Sequence, residues 1–376
     1  MSAPRADPTE ARVERVERVE RVLAERELDA LIVESPADLR YLTGFTGSNG
    51  MALVRAPAGA AKPAHLFLTD FRYTTQSGEQ VPRIYTREIA AGELLDATAA
   101  ALGDGGGRLG FDETNLTVAR HRRLAEHLAE GWELVPCSGL VTGLRLVKDG
   151  QEIARIAAAA QLADEALTRV LEAGLVGRSE REVAIELELH MRRLGAEAPS
   201  FSSIVAAGAH AALPHAEPRA DTIPADVLVT IDWGALLDGY CSDCTRTYAT
   251  GERVSEQARE VYELVLAAQE LGLQAVRAGP TGREVDAVAR AVIEAAGRGE
   301  HFGHGLGHGV GLEIHEGPRL SRTAGEEPLR AGNVVTVEPG VYLPGALGVR
   351  IEDLVVVRED GRDVLTGLPK ALTIVS

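Results

Sequence analysis

Cysteine is scarce in this sequence, and long apolar runs are missing. Three cysteines in 376 residues, Cys137, Cys241 and Cys244, are too few for a disulfide framework and are typical of a reducing compartment. We find no run of about 18 apolar residues that would form a transmembrane helix. Residues 1–12 also lack the apolar core of a secretory signal peptide. We therefore expect a cytoplasmic protein that does not contact the membrane.

An excess of basic charge is also missing. The chain carries 56 acidic residues against 39 basic ones, which gives a net charge of -17. Proteins that bind nucleic acids need a basic face to neutralise phosphate groups, and no Lys/Arg cluster longer than a helical turn occurs here. We expect no nucleic-acid partner.

Hydrophobic residues (45%) and charged residues (25%) occur in the proportions of an ordinary globular protein, and the length suits two domains.

Predicted strands alternate with predicted helices over residues 1–146. Valines at every third position, with charges between them, predict an amphipathic helix over 10–28, and a turn-rich stretch covers 41–50. Apolar segments predict strands over 30–33, 52–55, 65–68 and 108–110, and helices are predicted near 92–102 and 117–130. This alternation predicts an α/β domain.

The rest of the chain, residues 147–376, contains a weak internal repeat. Ser179 and Thr281 each begin a predicted helix, and each has a glutamate three residues later, which is the capping-box pattern. Each of these helices follows a long helix, predicted over 151–173 and over 255–276. Because Gly-rich strands come after each helix pair, we expect two related halves that pack face to face.

One predicted hairpin places two aspartates in apolar strands. The strands are predicted over 227–233 and 240–248. The dipeptide Asp238-Gly239 between them is a strong two-residue turn signal. The register that this turn sets puts Asp232 opposite Thr245 and makes Asp232 and Asp243 diagonal neighbours. Two carboxylates so close together repel each other unless a positive charge lies between them.

A second predicted hairpin, with strands over 334–337 and 349–357, puts Glu338 almost directly opposite Glu352. A buried carboxylate without a partner costs several kcal/mol. Arg350 could neutralise one or two of the four acidic groups, but not all of them. Each of these residues taken alone is typical of a solvated or packed side chain, whereas the four together indicate bound cations.

Histidines complete this set of candidate ligands. The glycine-rich segment 301–317, which includes His308, holds four of the ten histidines. One imidazole and four carboxylates form a ligand set for two divalent ions of borderline hardness. Such a pair of ions lowers the pKa of a bridging water toward neutrality and so produces a nucleophile. The sequence therefore predicts a dinuclear hydrolytic centre.

The segments around these residues resemble the pita-bread metallopeptidases. They read IDWGA, YCSDCTRT, HGLGHGVGLEIHEGP, VTVEPGVY and GVRIEDLVVV, and the five ligand positions match that family in order and residue type. The stretches 40–50 and 68–73 also resemble the N-terminal domain of the proline-specific members, prolidase and aminopeptidase P. The resemblance implies a creatinase-N-like α/β domain over 1–146, followed by a pita-bread catalytic domain over 147–376 with a pseudo-twofold repeat.

The resemblance also implies a metal-binding role for five residues. Asp232 would chelate the first metal, and Asp243 and Glu352 would bridge both metals. His308 and Glu338 would complete the second site. Glu338 would also carry the proton from the bridging water to the leaving nitrogen. The two divalent ions implied are Mn or Co, with Zn or Fe as alternatives.

Further roles follow from the same resemblance. His315 would hydrogen-bond the scissile carbonyl and the developing oxyanion, and His215 matches the other active-site histidine of the family. His304 would line the proline pocket, and Tyr342 would lie just outside the metal ligands as a substrate-binding residue. Arg350 would orient a carboxylate ligand.

The resemblance implies hydrolysis of the Xaa-Pro bond in a proline-containing di- or oligopeptide by a homodimer. Arg319 could bind the free carboxylate of a dipeptide, which favours an Xaa-Pro dipeptidase. A plain surface arginine, and an aminopeptidase P that acts on longer peptides, remain alternatives. A metal-free creatinase-like amidinohydrolase and a non-catalytic pita-bread binding module share the fold but lack intact ligands.

Cys241 and Cys244 are interpreted as small apolar strand residues, and His210 and His301 as packing or surface residues.

Overall fold

Strands and helices alternate along the first part of the chain, as the sequence predicts. The computed structural model describes residues 8–57 and 64–376, and the chain separates into two compact units, Met1–Arg145 and Leu146–Ser376. The elements of the first unit are α1 (Pro8–Glu25), β1 (Ala30–Val33), α2 (Pro36–Thr43), β2 (Gly50–Arg55), β3 (His65–Thr69), α3 (Thr74–Gln80), β4 (Tyr85–Ile89), α4 (Leu94–Leu102), β5 (Gly107–Phe111), α5 (Val118–His127), β6 (Trp132–Pro136) and α6 (Leu140–Arg145).

These strands form a sheet in the order β4-β3-β2-β1-β5-β6. Neighbours in the group β1, β5 and β6 run parallel, whereas β2 is antiparallel to both β1 and β3. Apolar residues of α4 and α5 pack with those of the sheet in one hydrophobic cluster. The valine face predicted for α1 is buried, since Val16 and Val19 are 0% and 1% exposed.

The prediction of turns over residues 41–50 was wrong for its first residues, because these belong to the short helix α2. α2 runs into this stretch and ends at Gly44, whose φ of 76° lies in the left-handed region. Pro36 occupies the first turn, where a backbone N–H has no helical partner, so its missing N–H costs no hydrogen bond. Tyr41 and Leu42 are buried. A helix of 8 residues is too short to show a clear period in the sequence, so the nearby turn residues dominated the prediction.

The second unit begins with two helices and continues with two groups of strands separated by a second helix pair. Its elements are α7 (Gly150–Glu172), α8 (Glu180–Leu194), β7 (Ala198–Pro199), β8 (Ile204–Ala207), β9 (Leu228–Trp233), β10 (Ala235–Leu237), β11 (Tyr240–Cys241), β12 (Cys244–Ala249), α9 (Glu256–Ala275), α10 (Gly282–Ala295), β13 (Gly307–Gly309), β14 (Glu316–Leu320), β15 (Val334–Val337), β16 (Gly340–Leu343), β17 (Leu347–Arg350), β18 (Asp353–Arg358) and β19 (Gly361–Val364). Within residues 8–57 and 64–376, every helix is too short or too polar to cross a membrane.

The strands of this unit form four sheets. Their orders are β11-β10-β7, β12-β9-β8, β14-β13-β15-β18-β19 and β16-β17 among the described residues. α7 and α8 contribute to a hydrophobic cluster with β8 and β9. α9 and α10 contribute to a second cluster with β15 and β18. Each helix pair therefore packs against strands of its own half.

The predicted internal repeat is present in the second unit. Ser179 and Thr281 both form complete capping boxes at the starts of α8 and α10. Each of these residues also makes an isolated antiparallel bridge to a later segment, at Thr222 in the first half and at Pro328 in the second. The two halves thus use the same local device to begin the second helix of each pair.

Both hairpins have the register predicted from the sequence. Thr245 pairs with Asp232 in the ladder between β9 and β12. In the second hairpin, the β15–β18 and β16–β17 ladders share one register, which keeps Glu338 opposite Glu352. The turn chemistry was therefore sufficient to predict which residues lie opposite each other.

The strands predicted over 240–248 and 349–357 are each broken at an acidic residue, which corrects the prediction of continuous strands. β11 ends before Asp243 and β12 begins after it, and β17 and β18 likewise flank Glu352. At the second break the chain changes partners, because Glu352 donates its N–H to the carbonyl of Thr245 in the other hairpin, at 3.1 Å. Side-chain alternation is the same on both sides of such a break, so the pattern could not reveal it.

Candidate metal centre

Three carboxylates come together where the strand ladders are interrupted. Asp232 lies near the end of β9, Asp243 lies between β11 and β12, and Glu352 lies between β17 and β18. One oxygen of each lies within 4.8 Å of the others. Asp243 and Glu352 are buried and Asp232 is half-buried. The two hairpins therefore contribute to one place in the unit.

The two remaining candidate ligands face the same place. Nε2 of His308 lies 3.3 Å from Oε1 of Glu338 and 3.5 Å from Oδ2 of Asp243. Nδ1 of His308 donates to the carbonyl of Gly309 at 3.0 Å, since a carbonyl can only accept. The lone pair of the neutral ring is then on Nε2, the nitrogen that points at the carboxylates, which is the form that binds metals.

The pKa shifts of these residues indicate that the site lacks a balancing positive charge. Burial, together with the charges of Glu352, Asp232 and Glu338, raises the pKa of Asp243 well above its ordinary value. Burial and the charges of Glu338 and Asp232 do the same to the pKa of Glu352. Burial lowers the pKa of His308, which favours its neutral form. Without a cation, burial and mutual repulsion favour the protonated forms of Asp243 and Glu352.

Two buried oxygens support the same conclusion. Oδ1 of Asp232 and Oε1 of Glu352 have no hydrogen-bond partner within residues 8–57 and 64–376. Buried polar atoms are rarely left in this state unless a water or an ion satisfies them. Carboxylate oxygens and one imidazole nitrogen are suitable donors for divalent ions of borderline hardness. The residues present therefore fit a divalent metal centre.

Gly307 and Gly309 allow the strands on either side of His308 to approach closely. A Cβ at Gly307 would lie 2.0 Å from the carbonyl oxygen of Thr336, and one at Gly309 would lie 2.0 Å from that of Gly317. Any side chain at these positions would push β13 away from its neighbours β14 and β15. The alternate glycines in this segment are thus required by packing around the ligand.

Arg350 connects the two hairpins beside the carboxylates. Its Nη2 donates to Oδ2 of Asp232 at 2.6 Å, its Nε donates to Oγ1 of Thr245 at 3.1 Å, and its Nη1 donates to the hydroxyl of Tyr342 at 2.7 Å. Thr245 in turn donates to Oε2 of Glu352 at 2.7 Å. The guanidinium therefore orients Asp232 directly and supports Glu352 through one hydroxyl.

His304 lies on the other side of Tyr342. Its Nε2 is 2.9 Å from the Tyr342 hydroxyl, and its Nδ1 donates to the carbonyl of Gly305 at 2.8 Å. Nδ1 therefore carries the proton, and Nε2 accepts the hydrogen bond from Tyr342. Burial lowers the pKa of His304 and raises the pKa of Tyr342 to about 12, so both groups are neutral at physiological pH.

The other predicted site residues lie at the more open side of the centre. The ring centroids of His315 and His308 are 4.3 Å apart. His215, His315 and Arg319 are exposed. Burial of part of the ring and the neighbouring imidazoles of His308 and His215 lower the pKa of His315, and Arg319 has a smaller effect in the same direction. These groups are therefore close enough to influence one another electrostatically.

Sequence reasoning missed two threonines that hold two of the acidic candidate ligands. Thr245 bonds Glu352, and Oγ1 of Thr336 donates to Oε1 of Glu338 at 3.0 Å. Thr336 is two residues from Glu338, and Thr245 is two residues from Asp243. Residues two apart in an extended chain point to the same side, and this spacing is the signal that could have identified both hydroxyls.

The cysteines lie outside this arrangement of ligands. Cys137, Cys241 and Cys244 are buried. Cys241 and Cys244 belong to different hydrophobic clusters. Burial raises the pKa of the Cys244 thiol well above its ordinary value, which keeps it neutral. Their packing agrees with the interpretation of both as small apolar residues.

Family profiles match both parts of the chain. The profile of metallopeptidase family M24 matches residues 154–359, and that of the Creatinase/Prolidase N-terminal domain matches residues 15–147. The chain belongs to metallopeptidase family M24. The predicted fold, a creatinase-type N-terminal domain followed by a pita-bread catalytic domain, is therefore confirmed.

Relatives of this M24 peptidase cover nearly its whole length. The uncharacterised peptidase YqhT of Bacillus subtilis is 42% identical over 348 residues, which are 92% of this chain and 96% of the relative. An Xaa-Pro dipeptidase from Pyrococcus furiosus is 35% identical over 361 residues, which are 96% of this chain and 99% of that protein.

Solved structures give the same result. The structure of an Xaa-Pro dipeptidase from Bacillus anthracis has a TM-score of 0.91 and 41% identity, with 96% of this chain and 99% of that chain covered. An X-Pro aminopeptidase from Thermotoga maritima has a TM-score of 0.86 and 35% identity, with 95% of this chain and 100% of that chain covered.

Proposed function

We propose that this M24 peptidase is an Xaa-Pro dipeptidase with two divalent metal ions. The proposed ligands are Asp232, Asp243, His308, Glu338 and Glu352. The observation that carries the proposal is the convergence of these donors from both hairpins on one largely buried place. The Pyrococcus furiosus and Bacillus anthracis proteins, both named Xaa-Pro dipeptidase, cover nearly the whole chain and support the substrate class.

The proposed substrate explains why metal ions would be needed. A prolyl bond is a tertiary amide without an N–H, so a protease that relies on bonding that group binds it poorly. Divalent ions, when bound, polarise the carbonyl. They also lower the pKa of a water, which can then lose a proton and attack at neutral pH. Mn or Co is proposed, and Zn or Fe would also suit this donor set.

Residues of the chain would hold the reacting groups and move the proton. Glu338 would accept the proton of the attacking water and pass it to the proline nitrogen as that nitrogen leaves. His315 and His215 would donate hydrogen bonds to the carbonyl oxygen as negative charge develops on it.

The proposed substrate site lies beside the metals. His304 and Tyr342 would line the pocket for the proline ring, and Arg319 would bind the free carboxylate of a dipeptide. The charge of Arg319 influences both His308 and His315, which supports its position at the site. An aminopeptidase P acting on longer peptides is the second candidate, and the similarity to the Thermotoga maritima X-Pro aminopeptidase favours it.

Three further features belong to the same proposal. The first is a boundary after residue 146 between two separate domains. The second is a homodimer. The third is a cytoplasmic location, which a content of only three cysteines suits.

Peptides of different length test the proposal. We expect Mn- or Co-reconstituted protein to cleave Ala-Pro with a kcat/KM about tenfold higher than that for Ala-Pro-Ala, because an ion pair worth about 1.4 kcal/mol corresponds to a factor of ten. Arg319→Ala should remove this preference. Arg322→Ala, which removes a different exposed arginine, should preserve it. Faster cleavage of the longer peptides would favour the aminopeptidase, and no cleavage of any Xaa-Pro bond would refute both.

A further inference from the structure

A buried ion pair on α10 lies next to the segment that carries His304. Arg290 donates from Nε to Oδ2 of Asp286 and from Nη2 to Oδ1, both at 2.7 Å. The two side chains are four residues apart and are 6% and 1% exposed. A buried ion pair is weak evidence for stabilisation, because desolvation of the charges offsets their attraction. What the pair contacts therefore decides its purpose.

The pair holds three backbone groups of one short segment. Arg290 donates from Nη1 to the carbonyl of Phe302 at 2.9 Å and from Nη2 to the carbonyl of His304 at 2.7 Å. Oδ1 of Asp286 accepts the N–H of Leu306 at 2.9 Å. The guanidinium also lies 4.0 Å from the centroid of the Phe302 ring. Alternate residues of the segment are thus fixed to the helix from one side.

This segment needs such support. Residues 302–306, all within the described part of the chain, form neither helix nor strand. Gly303 and Gly305 flank His304, and glycine allows the backbone more conformations than any other residue. The orientation of the His304 ring depends on this backbone, so bonds from outside the segment must restrict it.

A chain of hydrogen bonds leads from the ion pair to the candidate metal centre. The His304 carbonyl accepts from Arg290, and the His304 ring accepts from the hydroxyl of Tyr342 at 2.9 Å. Tyr342 accepts from Arg350 at 2.7 Å, and Arg350 donates to Asp232 at 2.6 Å. A shift of residues 302–306 would therefore move the ring of His304. It would also disturb the hydrogen bonds that connect this ring to Asp232.

We propose that Arg290, together with Asp286, is a positioning residue that fixes the imidazole of His304 toward the substrate. The inference rests on the proposed function, in which His304 lines the pocket for proline. A purely structural ion pair would stabilise the fold without a specific effect on His304. Coupling between Arg290 and His304 distinguishes these two roles.

A double-mutant cycle measures that coupling. We expect Arg290→Gln to lower kcat/KM for Ala-Pro by on the order of tenfold or more, the range seen for groups that orient active-site residues, mainly through a higher KM. In a His304→Ala background, the same change should have almost no further effect. Arg169→Gln breaks the exposed i,i+4 pair with Glu165 on α7 and should leave kcat and KM unchanged.

A spectroscopic measurement does not depend on substrate. Nitrogen NMR of histidine-labelled, metal-free protein should show His304 with the proton on Nδ1, and His304→Ala assigns the signal. Arg290→Gln should shift this signal toward a mixture of tautomers. Arg290→Lys keeps a positive charge beside Asp286 if the Gln variant does not fold, but one ammonium group cannot replace the guanidinium at both carbonyls, so the same shift is expected.

The outcomes separate the inference from the proposed function. Equal effects of Arg290→Gln with and without His304, or an unchanged His304 signal in the folded variants, would overturn the positioning role. If the wild-type protein cleaves no Xaa-Pro peptide but the His304 signal shifts as expected, the proposed function fails while the positioning of His304 stands.

Discussion

The two halves of the catalytic unit hold their histidine-bearing loops by related means. In the first half, the buried carboxylate of Glu180, at the start of α8, accepts the N–H of Ala207 at 2.8 Å, the N–H of Arg219 at 3.0 Å and Nδ1–H of His210 at 2.8 Å. His215 lies on the loop between these contacts. His210 is therefore a buried partner of Glu180, which is more specific than the packing or surface role expected from the sequence.

The second half adds a guanidinium to the carboxylate. On α10, Asp286 accepts one N–H, and Arg290 donates to two carbonyls of the segment that carries His304. Carbonyl groups only accept, so a carboxylate alone could not bind them. The two helices thus carry different side chains because the two loops present different backbone groups to them.

Loss of one proposed metal-binding carboxylate from either half should have the largest effect. We expect Asp243→Ala and Glu352→Ala each to abolish metal binding and to lower kcat by about 1,000-fold or more, since bound ions supply several kcal/mol of transition-state stabilisation. Metal content by mass spectrometry and rates on Ala-Pro measure both. Asp363→Ala, at an exposed carboxylate on β19, is the control and should bind metal normally. Full activity of either ligand variant would contradict the assignment.

The two loop anchors should differ in their effect on stability. Asp286→Asn leaves the buried charge of Arg290 unpaired, and we expect the free energy of unfolding to fall by about 3–5 kcal/mol. Glu180→Gln retains one acceptor oxygen for the N–H groups of its loop, and we expect a loss of about 1–3 kcal/mol. Urea unfolding measures both, with the exposed change Glu165→Gln as control. Equal losses would show that the added guanidinium is not what distinguishes the halves.

The helix caps should have the smallest effect, and it should be the same in both halves. Ser179 and Thr281 each accept a backbone N–H in a complete capping box. We expect Ser179→Ala and Thr281→Ala each to lower the free energy of unfolding by about 1 kcal/mol. The same urea experiments measure this. If only one variant is less stable, the repeat does not extend to the energetics of its helix starts.

Features that depend on neighbouring residues in the chain were predictable. Asp238-Gly239 predicted the hairpin turn and with it the pairing of Asp232 with Thr245. The capping boxes predicted where α8 and α10 begin. In each case the chemistry acts over a few residues, so the sequence contains all the groups that take part.

Features that depend on a change of partner were not predictable in this way. The breaks at Asp243 and Glu352 divide segments that alternate as continuous strands would. α2 was missed because few of its residues show a period. Thr336 lies two residues from Glu338 and so on the same side of the strand, but that spacing alone does not show that its hydroxyl bonds the carboxylate.

By itself, the sequence predicted the family, the hairpin registers and the candidate metal ligands. Only the tertiary structure decided how those residues are held. Arg350 and Asp232 are 118 residues apart, and Arg290 reaches the carbonyl of His304 from a helix. Buried polar groups must be paired with whatever folding brings next to them, and no local pattern specifies those neighbours.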